Sequence, residues 1–194
     1  MSISNCKYIL DQLTAQCGGN PNSIQEITII NAEDVVGHTA SAAAGDYNVI
    51  TSLTLAAGKK GFKFVDPRRI LFTGSNKAGV TGTVRGTNTK VLQFLVLGNN
   101  PETTRAIDAL ANGTFVVALK TNDKSATSKG AVEIFGLYSA CDGDTTPYAK
   151  AYAGDDENQG GYVVTLTCTE SYVGVFMWDT DLATTLANYE ALSA

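Results

Sequence analysis

Short segments in which apolar and polar residues alternate recur along most of this 194-residue chain, and turns rich in Gly, Asn and Asp separate them. Alternation with a period of two is typical of strands that bury one face. The turns leave little room for the crossover helices that parallel strands require. The sequence therefore predicts a mainly β fold, an antiparallel β-sandwich or barrel of about eight strands. We expect strands within residues 23–31, 47–57, 62–65, 70–75, 80–97, 114–120, 131–139, 161–169 and 172–178.

Two segments depart from the strand pattern and predict flanking α-helices. An Asn-Pro pair at residues 100–101 can cap and begin a helix over residues 100–112. A shorter helix is expected over residues 182–192, with Asp179 or Thr180 as its cap. The apolar stripe of the longer helix comprises Ala106, Ile107, Leu110 and Ala111.

Residues 58–80 combine glycines and lysines with few apolar side chains, which predicts a long hairpin or arm. Its apolar side chains have little of their own subunit to pack against, and ordering the backbone costs roughly 1–2 kcal/mol per residue. We therefore expect the arm to become ordered when a second copy supplies the missing surface. Because the sequence has no internal repeat, linker or low-complexity tract, residues 1–194 are expected to form one domain.

Charge is distributed unevenly along the chain. Residues 58–90 carry eight basic side chains and one acidic one, whereas residues 141–190 carry nine acidic side chains and one basic one. One interpretation is chance clustering on solvated hairpins. The other is that the basic part of one copy binds the acidic part of the next, as in rings or filaments. The residues expected at such a subunit interface are Lys59, Lys60, Lys63, Arg68, Arg69, Asp142, Asp144, Asp155, Asp156 and Glu157.

The sequence carries few of the residues that catalysis requires. Its single histidine, His38, lies among small residues and is expected to be structural or solvated. The glycine-rich stretch at 74–79 (GSNKAG) is expected to be a loop tip, because neither a Walker-type nor a Rossmann-type glycine motif occurs. We therefore expect no enzyme activity and no cofactor.

The cysteines and acidic clusters do not predict a metal centre. The four cysteines form no CxxC pair, so no zinc site is expected, and we interpret them as reduced thiols, with Cys168 packed inside a strand. A Cys6–Cys17 bridge is the alternative. Asp142 and Asp144 alternate as in a calcium loop, but the remaining ligand positions of that loop are missing. A solvated turn is therefore the preferred interpretation of this stretch, and a calcium site the alternative.

Composition narrows the classes of partner. The net charge of −5 argues against a general affinity for nucleic acid. No apolar stretch is long enough for a transmembrane helix, and the first residues lack the pattern of a signal peptide. Only 17% of the residues are charged, which suits a subunit whose faces are hidden in an assembly.

Three stretches together resemble a known family: NNPETTRAIDALANGTFVVALKTND at 99–123, AVEIFGLYSA at 131–140 and GGYVVTLTCTE at 160–170. Their order is a helix that begins with proline, a strand, a strand that carries Gly-Leu, and a strand after a glycine-rich turn. Over about residues 92–170 the chain resembles the tail tube (major tail) proteins of tailed bacteriophages, of the kind found in phages of Bacteroidetes.

The resemblance implies a structural virion protein of the viral tail. Such a subunit is a β-sandwich with a flanking helix, and six copies form a ring that stacks into a tube conducting DNA. The partners implied are further copies of the chain and other tail proteins at the tube ends. DNA passes during ejection without specific binding, and no membrane is involved. The location implied is the tail of the virion, after assembly in the host cytoplasm.

The alternative is a capsid decoration protein or a carbohydrate-binding β-sandwich module. Exposed aromatic residues are the signal expected of it, and Tyr148 and Tyr152 in a loop are the candidates. Tyr138 and Trp178 lie in strand patterns and are expected in the core instead. Size-exclusion chromatography separates the two classes, because a tube protein runs as rings or polymer and a module as a small discrete species.

Overall fold

The computed structural model describes residues 24–65, 88–96, 100–126, 129–143, 162–170 and 174–194. Within them the chain forms ten strands and two α-helices, so the predicted mainly β fold is confirmed. The strands are β1 (Ile24–Asn31), β2 (Val35–Ala40), β3 (Val49–Leu55), β4 (Phe62–Val65), β5 (Asn88–Val96), β6 (Thr114–Thr121), β7 (Val132–Phe135), β8 (Cys141–Gly143), β9 (Tyr162–Glu170) and β10 (Val175–Met177). The helices are α1 (Pro101–Asn112) and α2 (Leu182–Ala191).

Two of these strands were not expected from the sequence. β2 contains His38 and the small residues around it, and β8 begins the acidic stretch that was interpreted as a turn. The strand expected at 70–75 and the loop tip expected at 74–79 lie outside the described residues.

β6 is the centre of the sheet. One of its edges pairs with β1 along nearly the whole strand. Its other edge is shared, because β7 pairs with the C-terminal half and β8 with the N-terminal end. From β7 the sheet continues through β10 and β3 to β2, which we call the β3 wing. From β8 it continues through β9 to β5, which we call the β5 wing.

The sheet is mixed, whereas the sequence predicts an antiparallel one. The pair formed by β3 and β10 is parallel, with Val49 opposite Phe176 and Ile50 opposite Met177. The other strand pairs of the described residues are antiparallel. The strands of the parallel pair are more than a hundred residues apart in the chain, so local alternation carries no signal for their direction.

Residues 136–140, between β7 and β8, separate the two wings. Gly136 has a φ of +78°, and the amide of Ala140 donates a 2.9 Å hydrogen bond to the carbonyl of Gly136. A Cβ atom at Gly136 would lie 2.7 Å from the carbonyl oxygen of Phe115 and 2.8 Å from the backbone nitrogen of Cys141. Both the dihedral angle and the available space therefore require glycine here.

Two hydrophobic cores lie on opposite faces of β1 and β6. Alternate residues of β6 serve different cores, since Phe115, Val117 and Leu119 face the first and Val116 and Ala118 face the second. The first core is enclosed by β5, β9 and α1, and the second by β3, β10 and α2. The central pair of strands is thus buried on both faces, which positions the two wings relative to each other.

The first part of the predicted arm belongs to the sheet of its own subunit. β4 pairs with β1, and Phe64 packs on Phe94 of β5 with ring centroids 5.5 Å apart. The expectation that the arm has little of its own subunit to pack against is therefore wrong for Phe64, whereas the side chains of Phe62 and Val65 are more than half exposed. The residues from 66 to 80 lie outside the described part of the chain.

α1 covers the first core. It begins at Pro101, as predicted, and the amide of Thr104 donates a 3.0 Å hydrogen bond to the carbonyl of Asn100. Ile107 and Leu110 are buried, which confirms that part of the predicted apolar stripe. Ala106 is exposed, so the stripe is narrower than expected.

α2 covers the second core, into which it inserts Tyr189. Its cap is Asp181, whose carboxylate accepts a 2.7 Å hydrogen bond from the amide of Thr184. This bond is the largest contribution to holding the pKa of Asp181 below its ordinary value. The predicted cap at Asp179 or Thr180 is therefore wrong by one or two positions, while the predicted helix is present.

Candidate functional site

The predicted interface residues occupy two separate places in the described structure. Lys59 and Lys60 lie in the connection between β3 and β4, and Lys63 lies in β4. Asp142 lies in β8, which pairs with the opposite edge of β6 from β1. The basic and acidic positions are thus on different sides of the central pair of strands. Arg68, Arg69, Asp144, Asp155, Asp156 and Glu157 lie outside the described residues.

Lys59 is used within the subunit. Its Nζ lies 3.0 Å from Oδ1 of Asp34, at the bend between β1 and β2. Asn31 donates a 3.0 Å hydrogen bond to the same carboxylate. Together Asn31 and Lys59 hold the pKa of Asp34 below its ordinary value. Lys60 is exposed and has no ion pair within the part of the chain that the structure describes.

Lys63 belongs to a four-residue ionic network that fastens α2 to the sheet. Its Nζ lies 2.9 Å from Oε2 of Glu26 on β1 and 2.6 Å from Oε2 of Glu190 on α2. Lys120 on β6 bridges the same two carboxylates at 3.3 and 3.2 Å. The hydrogen bond from Lys63 is the main reason why the pKa of Glu190 is lowered. Lys63 therefore holds this subunit's own helix in place.

A buried ion pair, which the sequence analysis did not predict, lies in the first core. Nζ of Lys90 on β5 is 2.6 Å from Oε2 of Glu170 on β9, and both side chains are at most 2% exposed. Nζ of Lys90 also lies 4.7 Å from the ring centroid of Phe135. The backbone amide of Tyr138 donates a 3.3 Å hydrogen bond to Oε1 of Glu170. Both charges are thus satisfied, as burial requires.

Glu133 on β7 is the second carboxylate near Lys90. Burial raises the pKa of Glu133, the positive charge of Lys90 opposes this, and the negative charge of Glu170 adds to it. The sequence analysis counted Lys90 only as part of the basic segment. The signal that was missed is the alternation of faces along a strand, which places every second residue on the same side. Lys90 thus shares the core face of β5 with Leu92 and Phe94. Glu170 likewise shares the core face of β9 with Leu166 and Cys168.

Cys141 and Cys168 lie beside this ion pair. Both thiols are free and buried, and Cys168 lies inside β9, as predicted. A hydrogen bond with Cys168 and burial both raise the pKa of Cys141 far above its ordinary value. The thiolate is the nucleophilic form, so the Cys141 thiol is unreactive while β8 and β9 remain paired.

Several large apolar side chains are exposed on strands that have only one neighbour in the described part of the chain. β2 pairs only with β3 there and exposes 69% of Val36, and β4 pairs only with β1 and exposes Phe62 and Val65 by 59% and 58%. Tyr47, in the turn before β3, is also exposed. Val36, Phe62 and Val65 are the residues of what we call the edge surfaces.

Tyr138 was predicted in the core, and this prediction is wrong. Its side chain is 53% exposed, and it packs edge-on against the exposed ring of His38 with centroids 5.7 Å apart. The loop at 136–140 turns Tyr138 outward, which alternation could not reveal. Trp178 is half-buried, and the loop residues Tyr148 and Tyr152 lie outside the described residues.

The described residues hold no group of three or more His, Cys, Asp or Glu side chains that could bind a metal ion. In the same residues no helix has the length and apolar character needed to span a membrane. In the described residues, the site and fold thus define a mixed β protein with two hydrophobic cores, a buried ion pair, and apolar side chains exposed on the edge strands β2 and β4. No protein-family model, curated protein or solved structure matches the chain.

Proposed function

We propose that this protein is a tail tube subunit of a tailed bacteriophage, whose copies form rings, expected to hold six each, that stack into a channel for DNA. The observation that carries the proposal is the pair of edge surfaces, because each exposes apolar side chains on a strand with a single neighbour in the described residues. The resemblance of residues 92–170 to tail tube proteins supports it, and these residues include β5, α1, β6, β7, β8 and β9.

An edge strand with free amide and carbonyl groups and apolar side chains promotes uncontrolled association unless another element covers it. Val36 on β2 and Phe62 on β4 present such edges at two different places of one subunit. Two different edges on one subunit support head-to-tail contact between copies, which closes into rings or continues as filaments.

The remaining parts of the proposal follow from assembly. The partners are further copies of this chain and other tail proteins at the tube ends. DNA passes the channel without specific binding, which the net charge of −5 favours because an acidic wall repels phosphates. The protein is a component of the virion tail, assembled in the host cytoplasm, with no enzymatic activity and no cofactor.

Negative-stain electron microscopy and sedimentation of the purified protein test the proposal. We expect rings or tubes for the wild type. The double variant Val36→Lys/Val65→Lys should remain a folded single subunit, because both side chains are already more than half exposed. Thr169→Lys is the matched control, since Thr169 is exposed on β9, which has a neighbour on each side. It should assemble as the wild type does.

Two outcomes contradict the proposal. A wild-type protein that stays a single subunit at high concentration has no ring contacts. A small discrete oligomer that never forms rings favours the alternative, a capsid decoration protein or carbohydrate-binding module.

A further inference from the structure

The β5 wing is joined to the rest of the sheet by a very short connection. Within the described residues, β9 reaches β6 only through the three-residue strand β8. Asp142 and Gly143 of β8 pair with Thr167 and Leu166 of β9. On its other edge, β8 pairs with β6 at two positions. β8 is therefore the narrow link between the wing and the central strands, with two paired positions on each of its edges.

Cys141 and Cys168 lie at this connection. The pairing of Asp142 with Thr167 in an antiparallel ladder places the two cysteines opposite each other. Both side chains are buried, and the two residues are only 1% and 3% exposed. Opposite residues of an antiparallel pair have Cα atoms about 4.5–5.5 Å apart. Disulfides span Cα separations of roughly 4.4–6.8 Å, so the separation typical of opposite residues lies within the reach of a disulfide.

We propose that Cys141 and Cys168 are a redox-sensitive dithiol that closes to a cross-strand disulfide and locks the β5 wing to β8. The oxidant is a low-molecular-weight disulfide. One cysteine, deprotonated, attacks a sulfur of the oxidant and releases its first half as a thiol. The second cysteine attacks the mixed disulfide and releases the other half, so two protein thiols are oxidised while one disulfide is reduced to two thiols.

Burial controls when this reaction occurs. The raised pKa of Cys141 keeps the thiol protonated while the ladder is closed, so attack on an oxidant requires transient opening of β8. In a reducing compartment the two cysteines stay reduced. In an oxidising compartment the disulfide can form each time β8 opens. The dithiol is a property of the subunit and does not depend on the proposed tail function.

The test uses the full chain with Cys6→Ser and Cys17→Ser, so that Cys141 and Cys168 are the remaining thiols. The folded protein is incubated with oxidised glutathione and followed by intact mass, peptide mapping and chemical denaturation. We expect loss of the mass of two hydrogen atoms and a linked peptide pair. We also expect the folded-to-unfolded ratio to rise roughly 30- to 1000-fold on closure. Adding Cys168→Ser to this background should give a glutathione adduct instead, and Cys168→Ala serves if that variant does not fold.

Three results overturn the proposal. One is a folded protein that keeps both thiols during an incubation long enough for the backbone amides of β8 and β9 to exchange completely with solvent, since the ladder has then opened without closure of the bridge. The second is a glutathione adduct as the final product while both cysteines are present. The third is a disulfide that leaves the denaturation midpoint unchanged or lowers it, since the bond then forms without locking the wing.

Discussion

At the scale of single residues, a charged side chain buried in the first core needs an oppositely charged partner, because few other polar groups surround it. Lys90 is neutralised by Glu170, and each has a well-placed partner despite complete burial. A second ionised carboxylate at Glu133 would leave this region with excess negative charge, and burial already raises its pKa. Because the folded state binds a proton at Glu133 more tightly than the unfolded state does, the protein loses stability as the pH rises above the ordinary value of 4.5.

We therefore expect Glu133→Gln to remove this loss. The variant should match the wild type at acidic pH, where the carboxyl is protonated, and should be more stable at neutral pH. The measurement is the urea midpoint of both proteins between about pH 4 and 8. Glu33→Gln, at an exposed position, is the control and should follow the wild type throughout. If Glu133→Gln is less stable than the wild type at neutral pH, the ionised carboxylate is stabilising through Lys90 and the expectation is wrong.

At the scale of elements, the two helices are held by different forces. α1 relies on apolar packing, with Ile107 and Leu110 inserted into the first core, whereas α2 adds the ionic network of Lys63 and Glu190 to its apolar contacts.

Leu110→Ala should lower the free energy of unfolding by roughly 2–5 kcal/mol, the range for a buried leucine. Arg105→Ala, exposed on the same helix, should change it little. Denaturant titration compares them, and a Leu110→Ala cost well under 1 kcal/mol contradicts the packing of α1.

Elements whose signals are local could be predicted from the sequence. The Asn-Pro start and apolar stripe predict α1, and period-two alternation predicts β1, β6 and β9. β2 was missed although Val35, Val36 and Thr39 favour strands, because Gly37 and His38 interrupt the run and its partner β3 lies further along the chain. The Lys90–Glu170 pair required knowing that β5 and β9 are neighbours, which is long-range information.

For the whole molecule, the uneven charge along the chain corresponds only in part to free surface charge. Lys59, Lys63 and Lys90 are all paired with carboxylates of their own subunit. Of the predicted interface lysines, Lys60 is the exposed one with no ion pair among the described residues. The lysines that are paired within the subunit therefore contribute little to a basic surface that could attract a neighbouring copy. Charge reversal at Lys59, Lys60 and Lys63 should consequently have different effects on assembly and on stability.

We expect Lys60→Glu to slow assembly at low salt without changing subunit stability, because it reverses a charge that no described partner neutralises. Lys63→Glu should instead lower the free energy of unfolding by roughly 1–2 kcal/mol, since it breaks two ion pairs and places three carboxylates together.

Light scattering during assembly and denaturant titration of the subunit separate the two effects. Raising salt to about 0.5 M should bring the wild type close to Lys60→Glu, because exposed charges are then screened. Equal assembly rates for Lys60→Glu and wild type at low salt would show that Lys60 faces solvent in the assembled state, and that the edge surfaces drive association without it.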